Sequence, residues 1–266
     1  MPADADFSVC TYNVNSIKAR LPNVVDFLRE AAPDVVCLQE IKCVDEAFPR
    51  QEIEDLGYNV ATHGQKSYNG VALLSKFPLE DVRRGLAGED TDEQARYIEA
   101  VVLTPGAPWR VASIYLPNGN PVASEKFPYK LRWMQRLAAH AADLLALEER
   151  LVLAGDYNVI PRDGDCHDPA AWQDDALFQP QTRASYRTLQ NLGLVDAFMA
   201  VDGREHVYTF WDYQAGAWAK DHGIRIDHFL LSPEAADRLR ACAVARAARG
   251  KEKASDHAPV IARFAL

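Results

Sequence analysis

Apolar positions along the chain switch between a period of two and a period near 3.6, and the switch points mark the elements. Residues 7–14 (FSVCTYNV) are dense in β-branched and aromatic side chains and predict a strand. Leu21, Val24, Val25 and Leu28 then recur at helical spacing. Pro33 closes that helix, because proline disfavours helical geometry in the residue before it. DVVCLQE (34–40) predicts a short buried strand running into polar residues, and a second helix around 49–56 stops at Gly57. Strand-like runs follow at 58–62, 69–75, 97–103 and 109–116. The longest helical pattern, about 127–147, sets Leu131, Leu137, Ala138, Ala141, Leu144 and Leu145 on one side and leads into the strand RLVLAGD (150–156). A stretch with Pro161, Gly164, Pro169 and Pro180 precedes a helix near 182–192. Strands are expected again at 206–212, 226–231 and 259–264, with a short helix from 233.

No Gly/Ser linker or low-complexity segment divides the chain, so residues 1–266 are expected to form a single domain. Many short strands with fewer helices predict an α/β fold whose sheets are covered by helices. Several strands follow one another without a helix, which favours mixed sheets over a doubly wound parallel one. One internal echo stands out: TYNV (11–14) ends the first strand and DYNV (156–159) ends the strand that opens the second half. Chance explains four residues as readily as two similar halves, which would place Asn13 and Asn158 at equivalent strand ends.

Composition narrows the class. Apolar residues make up 48% and charged residues 25%, as in folded proteins and unlike disordered ones. No apolar run exceeds the five residues of Ala197–Val201, far short of the roughly 20 a bilayer crossing needs. The first six residues, MPADAD, are acidic and lack the apolar core of a signal peptide. The five cysteines (Cys10, Cys37, Cys43, Cys166, Cys242) are odd in number and show no zinc spacing. They read as small core hydrophobes in a reducing, cytoplasmic compartment. The net charge of −9 argues against a protein that simply coats nucleic acid. Residues 238–253 nevertheless carry +5, from Arg238, Arg240, Arg246, Arg249, Lys251 and Lys253 against Glu252, and read as a solvated face or a local basic surface.

Polar residues collect where the apolar strands end. Asn13, Gln39-Glu40, Tyr115 followed by Asn118, and Asp156-Tyr157-Asn158 close strands; Asp227-His228 opens one, and Asp256-His257 precedes another. Desolvating a carboxylate or carboxamide is costly. Such ends therefore imply metal binding, mutual hydrogen bonding or exposure at a rim, and six of them favour one shared site. The set is rich in hard oxygen donors and lacks thiolates. It suits Mg²⁺ with substrate phosphate better than zinc, a kit for metal-assisted phosphoester hydrolysis. Neither Gly-x-Ser-x-Gly nor the Gly-x4-Gly-Lys-Ser/Thr phosphate loop is present. The other histidines (His63, His140, His167, His206, His222, His228) show no ligand spacing.

TYNVNSIKARL, LQEIK, YNGVALLSK, YLPNG, KFPYK, LAGDYNVIP, GIRIDHFLLS and SDHAPV, in that order from about residue 7 to 264, resemble the exonuclease III family of abasic-site endonucleases. That family lies within the endonuclease/exonuclease/phosphatase superfamily. The resemblance implies a four-layer α/β sandwich, two mixed β-sheets face to face with helices outside and the site at one rim. It also implies one or two Mg²⁺ or Mn²⁺ ions. Glu40 would be the principal metal ligand, with Asn13 holding Asp156 or the water shell of the metal. Asp156 would activate the attacking water, and Asn158 would bind a phosphate oxygen. Tyr115 and Asn118 would contact the scissile phosphate. Asp227 would orient His257, the pair stabilising phosphate charge, and Asp256 would stand beside them as a candidate second ligand. Lys126 matches a position near the DNA backbone. The residues themselves do not decide whether Asp156 or His257 takes the first proton.

Phe210, Trp211 and Ile224 fall where the family builds an apolar pocket for a flipped-out, baseless sugar; for Phe210 and Trp211 plain core packing competes. Three departures stand out. Ile224 stands where some members carry Trp, which would loosen the pocket; the loop DGDCHDPAAW (163–172) differs from the exonuclease III pattern, which bears on the balance between endonuclease and 3′-end processing; and Asn15 stands where some members have Asp, which bears on a second metal ligand. The expected activity is a Mg²⁺-dependent DNA-repair phosphodiesterase, acting as a monomer on duplex DNA. It would cut 5′ to abasic sites and trim 3′ ends, including 3′-phosphates. The competitors are a superfamily hydrolase of inositol or lipid phosphates, against which YNGVALLSK and KFPYK speak, and a DNA-binding relative with a dead site, which has no reason to keep Glu40, Asp156, Asp227 and His257 together.

Overall fold

A computed structural model describes residues 6–266. The strands are β1 (Asp6–Asn13), β2 (Val35–Gln39), β3 (Asn59–His63), β4 (Val71–Ser75), β5 (Leu79–Arg84), β6 (Tyr97–Val102), β7 (Trp109–Tyr115), β8 (Arg150–Asp156), β9 (Val195–Asp196), β10 (Asp227–Leu231), β11 (Leu239–Val244) and β12 (Val260–Ala265). The helices are α1 (Ile17–Ala31), α2 (Arg50–Glu54), α3 (Lys126–Leu145), α4 (Pro180–Asn191), α5 (Ala197–Val201), α6 (Ala217–Lys220) and α7 (Pro233–Ala236). One six-stranded sheet has the order β11-β12-β1-β2-β4-β3 and the other β5-β6-β7-β8-β10-β9. Only β1–β2 and β7–β8 pair in parallel among them, so both sheets are mixed.

Side chains alternate across a strand, so a sheet covered on both faces needs apolar residues at nearly every position. Val9, Val35, Cys37 and Leu73 face Ile98, Val111, Val152 and Phe229 of the other sheet and form the central core. Their neighbours Cys10, Val36, Leu38 and Leu74 face the other way, against Val24, Phe27 and Leu28 of α1 and Ile53 of α2. On the second sheet, Ile114, Leu151 and Leu153 meet Trp133, Leu137 and Leu144 of α3 and Tyr186 and Leu189 of α4. The result is helices, sheet, sheet, helices, the expected four-layer sandwich. All five cysteines are buried and unpaired, and burial raises the pKa of each thiol. Among the described residues no helix is long and apolar enough to cross a membrane. The N-terminal segment read as lacking a signal peptide lies outside the described residues apart from Asp6.

Four readings change. Residues 206–212 form no strand; Phe210 makes only isolated bridges to Ile224 and His257, because the segment crosses the rim between the sheets instead of joining a ladder. Leu79–Arg84 is an edge strand that leaves only Leu79 and Val82 half-buried as apolar positions, too few to show a pattern. The basic run from 238 begins as a second edge strand, β11. Both edges carry a register shift, and charge and bulges are ways an edge is kept from pairing further. The TYNV/DYNV echo joins positions that are not equivalent. The shared strand order matches β1 to β7 and β2 to β8, so Asn13 corresponds to Tyr115, and Gln39 to Asp156.

Trp109 pins the two sheets at the end away from the polar strand termini. It is fully buried, with its ring centroid 4.9 Å from those of Phe7 and Phe264. Among the described residues its indole Nε1–H has no hydrogen-bond partner. Trp109→Ala should therefore lower the free energy of unfolding by about 3–5 kcal/mol. Trp109→Phe, which removes the unpaired donor and keeps most of the ring, should cost under about 1.5 kcal/mol. Urea denaturation midpoints of the two variants check the contrast.

Candidate active site

The parallel pairs β1–β2 and β7–β8 send their C-termini to one rim, where the antiparallel partners β10 and β12 begin. This is why polar residues at distant points of the sequence meet. Asn13 is fully buried, and its Nδ2 donates to Glu40 Oε1 at 2.9 Å and to Asp156 Oδ2 at 3.0 Å. Asp156 pairs in register with Tyr115 on one side and Asp227 on the other. Asp227 Oδ2 lies 2.9 Å from His257 Nδ1, and His257 Nε2 lies 3.8 Å from Asp156 Oδ2. Thr209 Oγ1 accepts from the backbone N–H of Asp227 at 3.1 Å, and Ser255 Oγ donates to Asn13 O at 2.7 Å while accepting from His257 N–H at 3.2 Å. The backbone leaves the strands through left-handed conformations at Asn15 (φ 45°), Glu40 (φ 52°), Lys42 (φ 52°) and Asn158 (φ 47°). Strain of this kind persists only where the surroundings over-determine it.

The charges are arranged by burial and by each other. Burial raises the Glu40 carboxyl, but the hydrogen bonds of Asn13 and Lys42 outweigh it and hold Glu40 below its ordinary value. Burial pushes Asp156 up to about 7, against the pull of His257 and with the push of Asp227. Burial opposes the charged form of His257, yet the charge and hydrogen bond of Asp227 lift it to about 10. The imidazole is thus protonated at neutral pH while Asp156 titrates close to neutrality. One ligand atom each of Glu40, Asp156 and His257 lie within 4.8 Å of one another. The oxygen donors of half-buried Glu40 and buried Asp156 fit a hard divalent ion, and Lys42 Nζ, 2.7 Å from Glu40 Oε2, offsets the carboxylate charge in this structure. Asp256 does not join this group; its Oδ1 accepts from Asn15 Nδ2 at 3.1 Å, and Asn15 Oδ1 accepts from Lys42 Nζ at 2.6 Å.

The remaining expected residues stand around this centre. Tyr115 is close enough to Glu40 and Asp156 for their charges to add to the effect of burial in raising its phenol. Asn118 Nδ2 donates to Asn158 Oδ1 at 3.2 Å, and Asn158 N–H donates to Asp156 Oδ1 at 2.9 Å. The Phe210 ring packs on His257 with centroids 5.0 Å apart. Phe210 and Ile224 line a cavity of about 340 Å³ with Trp172, His167 and His222. Those two imidazoles stack at 4.6 Å, so the divergent loop 163–172 supplies part of the cavity wall. Trp211 is fully buried behind Phe210, where its Nε1 donates to Asp221 Oδ1 at 2.9 Å; the packing alternative describes it. Lys126 is exposed at the first turn of α3, outside the cluster.

Sequence reasoning missed the charged supports. Lys42 carried a signal, its place in LQEIK. Arg225 likewise stands in GIRIDHFLLS, but its partners are remote in sequence, so the motif does not say what it holds. It is buried, with Nε 2.9 Å from Asp165 Oδ1 and Nη1 3.1 Å from Asp196 Oδ2. It ties the loop 163–172 and β9 to the start of β10, directly before Asp227.

A mixed two-sheet sandwich with carboxylates, an imidazole and carboxamides gathered at one rim is the framework of a phosphoester-cleaving enzyme class. Residues 10–257 match the Endonuclease/Exonuclease/phosphatase family, and the chain belongs to that family, in its exonuclease III branch. It is 35% identical over 262 residues to exodeoxyribonuclease III of Haemophilus influenzae, covering 96% of this chain and 98% of that protein. The structure of the 3′ phosphatase NExo from Neisseria, bound to a product DNA hairpin, superposes with a TM-score of 0.94 at 36% identity, covering 98% of this chain and 100% of that one. An AP endonuclease from Archaeoglobus fulgidus superposes at 0.91, also with 36% identity and the same coverage. The chain is an enzyme, a hydrolase of the nuclease class.

The Arg225 network gives a stability test. Removing the guanidinium leaves Asp196 buried without its arginine and Asp165 with Arg162 alone, so Arg225→Met should destabilise the fold by about 3–5 kcal/mol in chemical denaturation. Burial opposes ionisation of Asp165, but the charge of Arg225 holds its pKa at about 2. The resulting stabilisation is full above the unfolded pKa of roughly 4 and is lost as pH falls toward 2. The variant should therefore show a smaller loss of stability than the parent over that interval.

Proposed function

We propose that this chain is a Mg²⁺-dependent DNA-repair phosphodiesterase that works as a single domain and a monomer in the cytoplasm. Its substrates would be duplex DNA with abasic sites, cut on the 5′ side, and 3′ ends to be trimmed or freed of phosphate. The observation that carries this reading is the meeting of Asn13, Glu40, Asp156, Asp227 and His257 at one rim, in a chain similar to nucleases over nearly its whole length.

Glu40 and Asn13 would hold the metal and its water shell, with Asp256 reaching them through Asn15. When bound, the ion would neutralise charge on the phosphate oxygens. Asp156, fixed by Asn13 and the Asn158 N–H, takes the proton of the water that attacks phosphorus in line. His257 is the weaker candidate for that step, because Asp227 keeps its imidazole already protonated; as a cation it faces the charge that builds on the phosphate. Asn118, Asn158 and Tyr115 donate hydrogen bonds to phosphate oxygens, and Lys126 meets the backbone of the strand. Phe210 and Ile224 wall the space beside the reacting phosphate. The stacked pair His167 and His222 fills part of the same wall, and the Neisseria neighbour is a 3′ phosphatase. Both favour 3′-end processing as the faster activity.

Incubation of the protein with duplexes carrying one abasic analogue, a blunt end or a 3′-phosphate tests this reading. Cleavage should need Mg²⁺ or Mn²⁺ and stop in EDTA, and the 3′-phosphate should be released fastest. His257→Ala or Asp156→Ala should lower kcat by at least roughly 10²–10³-fold; nicking that survives either change would sink the assignment. The same assays with inositol and lipid phosphates should give no turnover, and added salt should weaken DNA binding. The pH profile is a further check. As pH falls through about 7, Asp156 gains a proton and kcat/KM should drop about tenfold per unit. The rate should hold on the alkaline side until His257 loses its proton near 10.

A further inference from the structure

Lys130, the second lysine of KFPYK, has no part in the chemistry described above, yet it is fully buried in α3. Its Nζ donates to two main-chain carbonyls, Asn118 O at 3.1 Å and Asn158 O at 2.6 Å. Among the described residues it forms no ion pair with a carboxylate, and both hydrogen-bond partners are neutral carbonyls. Burial lowers its pKa to about 7, offset in part by the charges of Asp156 and Asp175. An ammonium kept in such a place costs folding free energy, and two neutral carbonyls return little of it. A residue of this kind is retained for what it holds in place.

What it holds are the two loops that leave β7 and β8 at the rim. Those loops carry Asn118 and Asn158, whose carboxamides are joined to each other at 3.2 Å. Both turn sharply, with Gly119 at φ 88° and Asn158 at φ 47°. The stem of Lys130 passes so close to the first loop that a Cβ on Gly119 would meet Lys130 Cδ at 2.6 Å. Glycine is needed there both for the left-handed backbone and for the lysine. The lysine therefore reaches the rim from beneath and fixes one loop against the other.

We propose that Lys130 is a positioning residue for phosphoester hydrolysis: it locks the main chain of Asn118 to that of Asn158, so that both carboxamides meet one phosphate with a fixed separation. This rests on the reading of Asn118 and Asn158 as phosphate contacts. Loosening a group that grips the transition state lowers turnover more than binding.

A double-mutant cycle between Asn118 and Lys130 tests it, read as kcat and KM on an end-labelled duplex bearing a 3′-phosphate, with circular dichroism and melting temperature for each variant. Lys130→Met should lower kcat by roughly 10–100-fold with KM little changed. Because the lysine acts partly through Asn118, Asn118→Ala and Lys130→Met together should lose less than the product of their separate losses. A folded Lys130→Met enzyme with parental kcat, or losses that multiply in full, overturns the positioning role. If Lys130→Met does not fold, the cycle is run with Lys130→Gln, whose amide nitrogen stops one bond short of the lysine Nζ and so cannot bridge both carbonyls, and the same two outcomes decide. Asn118→Ala turning over at the parental rate would instead overturn the phosphate-contact reading, a failure distinct from that of Lys130.

Discussion

One buried carboxamide bridges the two sheets at the working end of the molecule. Asn13 leaves the first sheet and donates to Glu40 at its own edge and to Asp156 on the opposite sheet. Without a neutral donor between them, two carboxylates at this depth repel and one takes a proton. With it, Glu40 stays ionised while Asp156 remains poised, and the imidazole of His257 adds the balancing charge. The donor set therefore depends on the sandwich being closed, since neither sheet alone contains it.

The two sheets share one strand order but not one chemistry. Where the second sheet ends in Asp156 and begins again at Asp227, the first has Gln39 and Val71 at the matching positions. Gln39 uses its amide for structure, accepting from Thr11 on the neighbouring strand and donating to Ser113 across the core. The carboxylates of the second sheet do the titrating, and the first contributes Glu40 from just beyond its strand and Asn13 as the clamp. Repetition supplies the frame, and divergence at a few strand ends supplies the polarity of the rim.

Elements buried on both faces were legible because their apolar runs are nearly unbroken, as in DVVCLQE and RLVLAGD. Two edge strands, β5 and β11, were not, since half-exposed LEDVRR and LRACAV look like charge patterns. Tyr208-Thr209-Phe210-Trp211 has strand composition, but its hydrogen bonds go to Ile224 and to the segment before β12, so composition misleads there. The carboxylates and His257 were legible as polar residues ending apolar strands, and the family resemblance ordered them. Lys42, Lys130 and Arg225 were assigned no role in advance. For Lys130 and Arg225 the partners are fixed by tertiary closure, and the separations of 28 and 60 residues in these hydrogen bonds leave no local trace, whereas Lys42 pairs with Glu40 two residues away.

The five buried thiols have a consequence for where such a protein can operate. Each is held away from solvent with its thiolate disfavoured, so none is a ready nucleophile toward peroxide and none competes for soft metals. The fold thus offers oxidants no ready thiolate through which its two sheets could be cross-linked or distorted.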